Sequence, residues 1–337
     1  MFPKKIVQWG IFSVSFLILC NLSFLTLFFA RQIKNTRQVS HTDNQQIEVN
    51  HVLIAGTEID KDMLNKFYEG AHSIAGEYNS VVEKLLPSSL AETKELQSWV
   101  DYASYVDADG LILFCDDENT IIKQPVNAYG STIPVVTLLN NNPDTNQVCF
   151  LGTNKYELGK AFASEVFVFE KNTEIKVHNI LALVDIEKNV TAVDRILSSL
   201  QEELKSRKGN EIINIYIEHI VNKNFSGIDA NTRNIIQNAV ENYNTELILC
   251  FSADETISAA QTLIDLNLTA NSSVIGLYEN SKTQSYIDKG IIFSVISVDA
   301  YSIGIEAMKN LFLWKTKGYT NSYSTTDLVI LRKEEHL

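Results

Sequence analysis

From Val49 onward the chain alternates short apolar runs with stretches of helical period, and few folds satisfy that alternation. Val52-Leu53-Ile54-Ala55-Gly56 is followed, up to Tyr78, by Met63, Phe67, Ala71, Ile74 and Ala75 at helical spacing, with Asp60 placed to cap that helix. Val81 to Leu86 is a second run, Leu111-Ile112-Leu113-Phe114-Cys115 a third, and Ile133-Pro134-Val135-Val136-Thr137-Leu138-Leu139 a fourth. Between the second and third, Leu90 to Val106 has the period of a helix. Unbroken apolar runs separated by helices predict a parallel sheet covered on both faces. Ligands of such sheets sit outside the carboxyl ends of the strands. The polar residues just past each run are therefore the first candidates: Thr57 and Glu58 after the first, Asp116 and Asp117 after the third.

After the irregular stretch Asn140-Asn141-Asn142-Pro143 the alternation restarts. Strands are expected at Val148–Leu151, Ile180–Val184, Ile212–Ile217, Leu247–Phe251, Val274–Leu277, Ile291–Val298 and Asp327–Leu331. Helices are expected at Tyr156–Phe169, Ala192–Arg207, Asp229–Tyr243, from Ser252 to Leu266, and at Tyr301–Lys315. Two rounds of one architecture predict an α/β protein of two Rossmann-like lobes with a cleft between them, a common place for a small ligand.

The 337 residues are enough for two such units and an appendage. A net charge of −13 disfavours a phosphate-binding surface, so nucleic acid is not an expected partner. The four cysteines (20, 115, 149 and 250) have no CxxC spacing, and three of them fall in expected strands, where a thiol fills core. The six histidines lack metal-ligand spacing, and no GxSxG, GxxxxGK[ST] or GxGxxG follows a strand. Asp116 and Asp117 are adjacent, so their carboxylates diverge and cannot share one proton site. Neither catalysis nor a metal nor a cofactor is expected.

Ile6 to Ala30 is almost unbroken apolar sequence. As a helix rising about 1.5 Å per residue it spans roughly 37 Å, enough to cross a hydrocarbon core of about 30 Å. A cleaved signal peptide is one rival, but its apolar core is shorter and Phe28-Phe29-Ala30 lacks a small-x-small site. A lipoprotein signal at Leu17-Ile18-Leu19-Cys20 is another, with bulky Leu19 where a small residue is wanted. The preferred reading is one N-terminal transmembrane helix, a polar stalk over 31–48, and an extracytoplasmic domain. Flanking basic residues on both sides (Lys4, Lys5; Arg31, Lys34, Arg37) leave the orientation undecided by charge.

Several phrases, in this order, resemble the type I periplasmic-binding-protein family, in its sugar-binding branch with ribose-type binding proteins and LacI-like ligand domains. They are Val52 to Ala75 with Gly70, Ala108-Asp109-Gly110-Leu111-Ile112-Leu113, Ile133-Pro134-Val135-Val136-Thr137, Gly152-Thr153-Asn154 through Gly159, Ser252-Ala253-Asp254-Glu255, and Val274-Ile275-Gly276-Leu277-Tyr278. The resemblance covers about residues 49–333. It implies two lobes joined by a three-segment hinge: 49–140 completed by 299–326, and 141–298 completed by 327–337. A membrane anchor stands where the regulators carry a DNA-binding segment.

In the family, strand-end carboxylates, Asn and Arg bond a sugar's hydroxyls while aromatics stack on its rings. Carried over by position, the implied contacts are Thr57, Glu58, Asp116, Asp117, Arg195, Asp254 and Tyr278. The match is partial: Ala253 replaces an Asn, Tyr278 an Asp, and Val298 sits near a Gln or Asn, while Lys61, Met63 and Leu64 stand where an Asn and two aromatics belong. Asp116 and Asp117 equally suit a helix cap, Arg195 a surface helix charge, and Tyr278 a core or rim aromatic. The implied function is a membrane-tethered solute-binding protein that takes a sugar or polyol and signals to a partner such as a sensor histidine kinase. The alternatives are the binding component of a sugar ABC transporter, working with its permease, and a degenerate fold acting as an interaction module.

Overall fold

A computed structural model describes residues 49–333 apart from 57–60, 86–95, 115–121, 140, 187–189, 210 and 222–229. The first strands are β1 (Asn50–Gly56), β2 (Ser80–Leu85), β3 (Gly110–Phe114), β4 (Val135–Leu138) and β5 (Cys149–Gly152). Helices α1 (Lys61–Ser73) and α2 (Leu96–Tyr105) lie among them. Then come α3 (Lys155–Thr173), β6 (Asn179–Asp185), α4 (Val190–Lys208), β7 (Asn214–Ile220), α5 (Ala230–Tyr243), β8 (Leu247–Cys250) and α6 (Ala253–Asp265). The chain continues with β9 (Ser273–Leu277), α7 (Ser281–Asp288), β10 (Ile292–Val298), α8 (Ala300–Lys317), β11 (Tyr323–Thr325) and β12 (Leu328–Arg332).

Two six-stranded sheets result. The first runs β11-β5-β4-β3-β1-β2, the second β12-β10-β9-β8-β6-β7. All pairs are parallel except β10–β12. Central strands such as β1, with Val52 to Ala55 fully buried, are covered on both faces, which is why they read as unbroken apolar runs. The chain crosses between lobes at Thr153–Asn154, at Val298–Asp299, and between β11 and β12. One expectation is corrected here. The lobe boundary at 140/141 moves to after Gly152, because β5 pairs with β4 in the first sheet.

Each sheet has an apolar layer on either face. In the first lobe α1 and α8 cover one face with Phe67, Met308 and Leu311, and α2 covers the other against Leu53, Leu111 and Leu113. In the second, α3 and α4 cover one face with Phe162 and Leu200, and α6 lies on the other with Ala259 and Leu263. Helices α1 and α8 cross at Gly70 and Gly304. A β-carbon on Gly70 would stand 1.9 Å from the Tyr301 carbonyl oxygen, and one on Gly304 2.0 Å from that of Phe67. Only glycine permits that backbone approach.

Among the described residues no helix is long and apolar enough to cross a membrane. The expected anchor at 6–30 and stalk at 31–48 lie outside them, as do Asp60, Thr57, Glu58, Asp116 and Asp117.

Candidate functional site

Among the described residues are those that line two grooves between the lobes. The larger, about 890 Å³, takes Asn141, Phe150 and Tyr323 from the first lobe, and Thr153 to Tyr156 and the amino-terminal half of α4, including Asp194, Arg195 and Glu202, from the crossing and second lobe. Phe150 and Gly152 alternate along β5 with Cys149 and Leu151, which lie in the layer under α1 and α8. Phe150 therefore faces the opposite side of the sheet. Its ring lies across Gly152, where a β-carbon would come within 2.2 Å of it, and stacks on Tyr323 with centroids 5.4 Å apart. Burial raises the Tyr323 phenol above its ordinary pKa, so it stays neutral.

The helix starts on the second-lobe side are set by local chemistry. Asn154 caps α3, its side chain accepting the Tyr156 N–H at 2.9 Å. Gly159 lets α3 press against α4 near the Ile196 carbonyl. The Ser199 hydroxyl donates to the Tyr156 carbonyl at 2.7 Å, and the Tyr156 hydroxyl donates to Glu202 at 3.2 Å. These bonds hold Arg195 and Glu202 on the groove wall. The Lys160 ammonium lies 4.6 Å from the Tyr156 ring centroid.

The smaller groove, about 420 Å³, lies between α1 and the start of α7, with Asp62, Lys66, Glu279 and Ser281 on its walls. It is bridged. The Lys66 ammonium meets the Glu279 carboxylate at 2.6 Å, and the Ser281 N–H donates to the Asp62 carboxylate at 3.0 Å. Asp62 thus reaches the amino-terminal end of α7, where helix N–H groups favour negative charge. Asn280 opens that helix with a reciprocal capping box to Thr283. At the nearby crossing Asp299 caps α8. The Ser302 hydroxyl and N–H donate to its carboxylate at 2.6 and 3.0 Å and hold it below the ordinary carboxylate range.

The described site residues expected from sequence separate. Arg195 lines the larger groove. Asp254 is in the first turn of α6, capped by Ser252. Tyr278 sits at the end of β9 with φ +62°, a left-handed backbone that costs a bulky residue about 1–2 kcal/mol, and its ring packs against the cores of both lobes. Neither Asp254 nor Tyr278 is among the residues lining the two grooves. Phe150, Tyr323, Asn154 and Tyr156, and the Lys66–Glu279 bridge, escaped the sequence reading. The contrast between Phe150–Gly152 and Cys149–Leu151 along β5 was the available signal for the first of these.

Among the described residues no group of three or more His, Cys, Asp or Glu could hold a metal ion. Cys149 and Cys250 are free and buried; burial pushes the Cys149 thiol up to about 11 and Cys250 well above its ordinary value. Neither is a nucleophile at neutral pH.

A family described as periplasmic binding protein domain matches residues 53–314. The chain belongs to this family. A periplasmic binding protein carries a solute-binding fold, which agrees with two parallel-sheet lobes joined by three crossings and is not an enzyme family. No curated protein matches the chain. Among solved structures, GanP, a glucose-galactose binding protein from Geobacillus stearothermophilus, is 18% identical with TM-score 0.65, over 85% of this chain and 98% of its own. A sugar-binding protein of a sugar ABC transporter from Bacillus halodurans is 16% identical with TM-score 0.66, over 84% and 97%. The XylFII–LytSN complex is 21% identical with TM-score 0.61, over 85% and 98%. At these identities the likeness is one of fold.

Proposed function

We propose that the chain is a solute receptor that binds a sugar or polyol between its lobes outside the cytoplasm. In this reading it is tethered by the 6–30 helix through the 31–48 stalk, and a membrane partner such as a sensor histidine kinase reads the lobe position. The observation that carries the binding reading is a groove to which both lobes bring side chains, Tyr323 from one and Arg195 from the other. A ligand touching both binds one lobe arrangement better than another, and that differential affinity shifts the hinge equilibrium. Thr57, Glu58, Asp116, Asp117, Asp254 and Tyr278, at the strand ends, are the further contacts proposed for the closed arrangement of the lobes, Asp254 and Tyr278 from outside the groove lining. The apolar run Ile6–Ala30 supports the tether. A protein of this fold in complex with a second one, as in XylFII–LytSN, supports the partner.

A transport role, delivering the same ligand to an ABC permease, is favoured by the Bacillus halodurans protein of a sugar ABC transporter. The neighbouring genes discriminate: kinase and response-regulator genes favour sensing, permease and ATPase genes transport. Binding itself is tested by thermal shift of the purified protein against a panel of pentoses, hexoses, polyols and short oligosaccharides. A ligand at 100 times its Kd should raise stability by about 2.7 kcal/mol. Replacing Asp116 and Asp117 together with Ala should abolish the shift. A flat response across mono- and oligosaccharides would sink the sugar reading and favour a cleft that binds nothing.

A further inference from the structure

We infer that the larger groove takes a neutral saccharide of at least two rings, with one ring platform supplied by each lobe. The inference rests on the sugar-binding reading and specifies its ligand. Volume is the first observation. About 890 Å³ stands near the top of the ~300–1,000 Å³ range of small-molecule sites and is far more than one sugar ring fills.

Charge is the second. The lining carries Lys155 and Arg195 against Asp194 and Glu202, two positive and two negative, so the groove offers no net field to a phosphate or an amine. The Asn141 and Asn154 amide oxygens already accept from Gln147 and the Tyr156 N–H, so their NH2 groups are left as donors beside the Asp194 and Glu202 carboxylates as acceptors. That set suits uncharged hydroxyls, each of which both donates and accepts.

The aromatics are the third. Tyr323, 46% exposed, stands on the first lobe, and Tyr156, 47% exposed, at the start of the second-lobe helix α3. Each has a partner on one ring face, Phe150 stacked on Tyr323 and the Lys160 ammonium over Tyr156. Each therefore keeps a second face for the C–H side of a sugar ring. The two platforms belong to different lobes, separated by the Thr153–Asn154 crossing, so two rings are needed to use both. A ligand of that length ties its affinity to the hinge angle directly.

The test is titration calorimetry on the purified protein with matched xylo-, gluco- and galacto-saccharides of one to four rings. In at least one series affinity should rise tenfold or more from one ring to two or three. Tyr323→Ala should remove that gain, weakening the two- or three-ring ligand at least fivefold more than the monosaccharide, and Tyr323→Phe should keep it. Circular dichroism melts confirm that both variants fold. Should the monosaccharide bind as tightly as every longer homologue, or Tyr323→Ala weaken one ring and three rings equally, the inference is overturned and the sugar reading stands. Should no saccharide of any length bind, both are overturned.

Discussion

The two grooves lie between the same lobes on opposite faces of both sheets, and they are built differently. The smaller is closed by charge: Lys66 to Glu279, and Asp62 to the amino end of α7. Its α1 wall is fixed by backbone against backbone at Gly70 and Gly304. The larger is lined by aromatic rings, amides and a balanced set of charges, and the Phe150 ring on its wall lies across Gly152. Under the proposed reading, the contrast separates two jobs of a hinged receptor, with one face bridging the lobes and the other leaving room for a ligand.

The widest gap between the two faces should appear in stability. Gly70→Ala drives a β-carbon into the Tyr301 carbonyl, which neither helix can yield, and should cost about 3 kcal/mol or more by urea denaturation. Gly152→Ala meets only the Phe150 ring and should cost about 1 kcal/mol, while weakening saccharide binding as the ring leaves Tyr323. Equal costs for the two would show that both walls are alike and break the comparison.

A smaller effect is expected at the crossing beside the bridged groove. Asp299→Ala removes the α8 cap and should cost about 1 kcal/mol. The Asp299 carboxyl is held below its unfolded value of about 3.9, so its contribution is complete above that pH and is lost as pH falls through the folded pKa. Asp299→Asn should flatten the acid limb of the stability curve below about pH 4. An unchanged acid limb would show that the Ser302 bonds do not favour the charged form.

The smallest effect belongs to the bridge itself. Lys66 and Glu279 side chains are 46% and 22% exposed, so a double-mutant cycle should give a coupling of about 0.5 kcal/mol that falls by 1 M salt. That is enough to shift an open–closed equilibrium about twofold and not enough to lock it. A coupling above about 2 kcal/mol would make the bridge a lock.

The strands were legible because burial on both faces leaves unbroken apolar runs; β1, β3, β8 and β9 lie within a residue or two of their expected ends. Helix α7 was missed because Ser281 to Asp288 buries only Thr283 and Ile287, too little for a periodic stripe, although Asn280 and Thr283 carry its cap. Strand β11 has three residues, too few for any pattern. The lobe boundary was misread because Asn140–Pro143 interrupts the alternation without ending the sheet; pairing of β5 with β4, a non-local choice, decides it. At the site, Arg195, implied only by the family resemblance, lies on a groove wall in the amino-terminal half of α4. Phe150 and Tyr323 meet only through the pairing of β5 with β11, 173 residues apart in sequence, and no local pattern announces that.

The direct test of a hinged receptor is the distance between its lobes with and without ligand. Cys149 and Cys250 are buried with raised thiol pKa values, so labels can be confined to new cysteines at Tyr105 and Ile212 once Cys20 and Cys115 are Ser. Those two positions are 87% and 79% exposed, one on each lobe. Pulsed electron resonance with the tightest-binding saccharide at saturation should then show one narrowed distance distribution, displaced from that of the free protein. A distribution unchanged by bound saccharide would contradict the account.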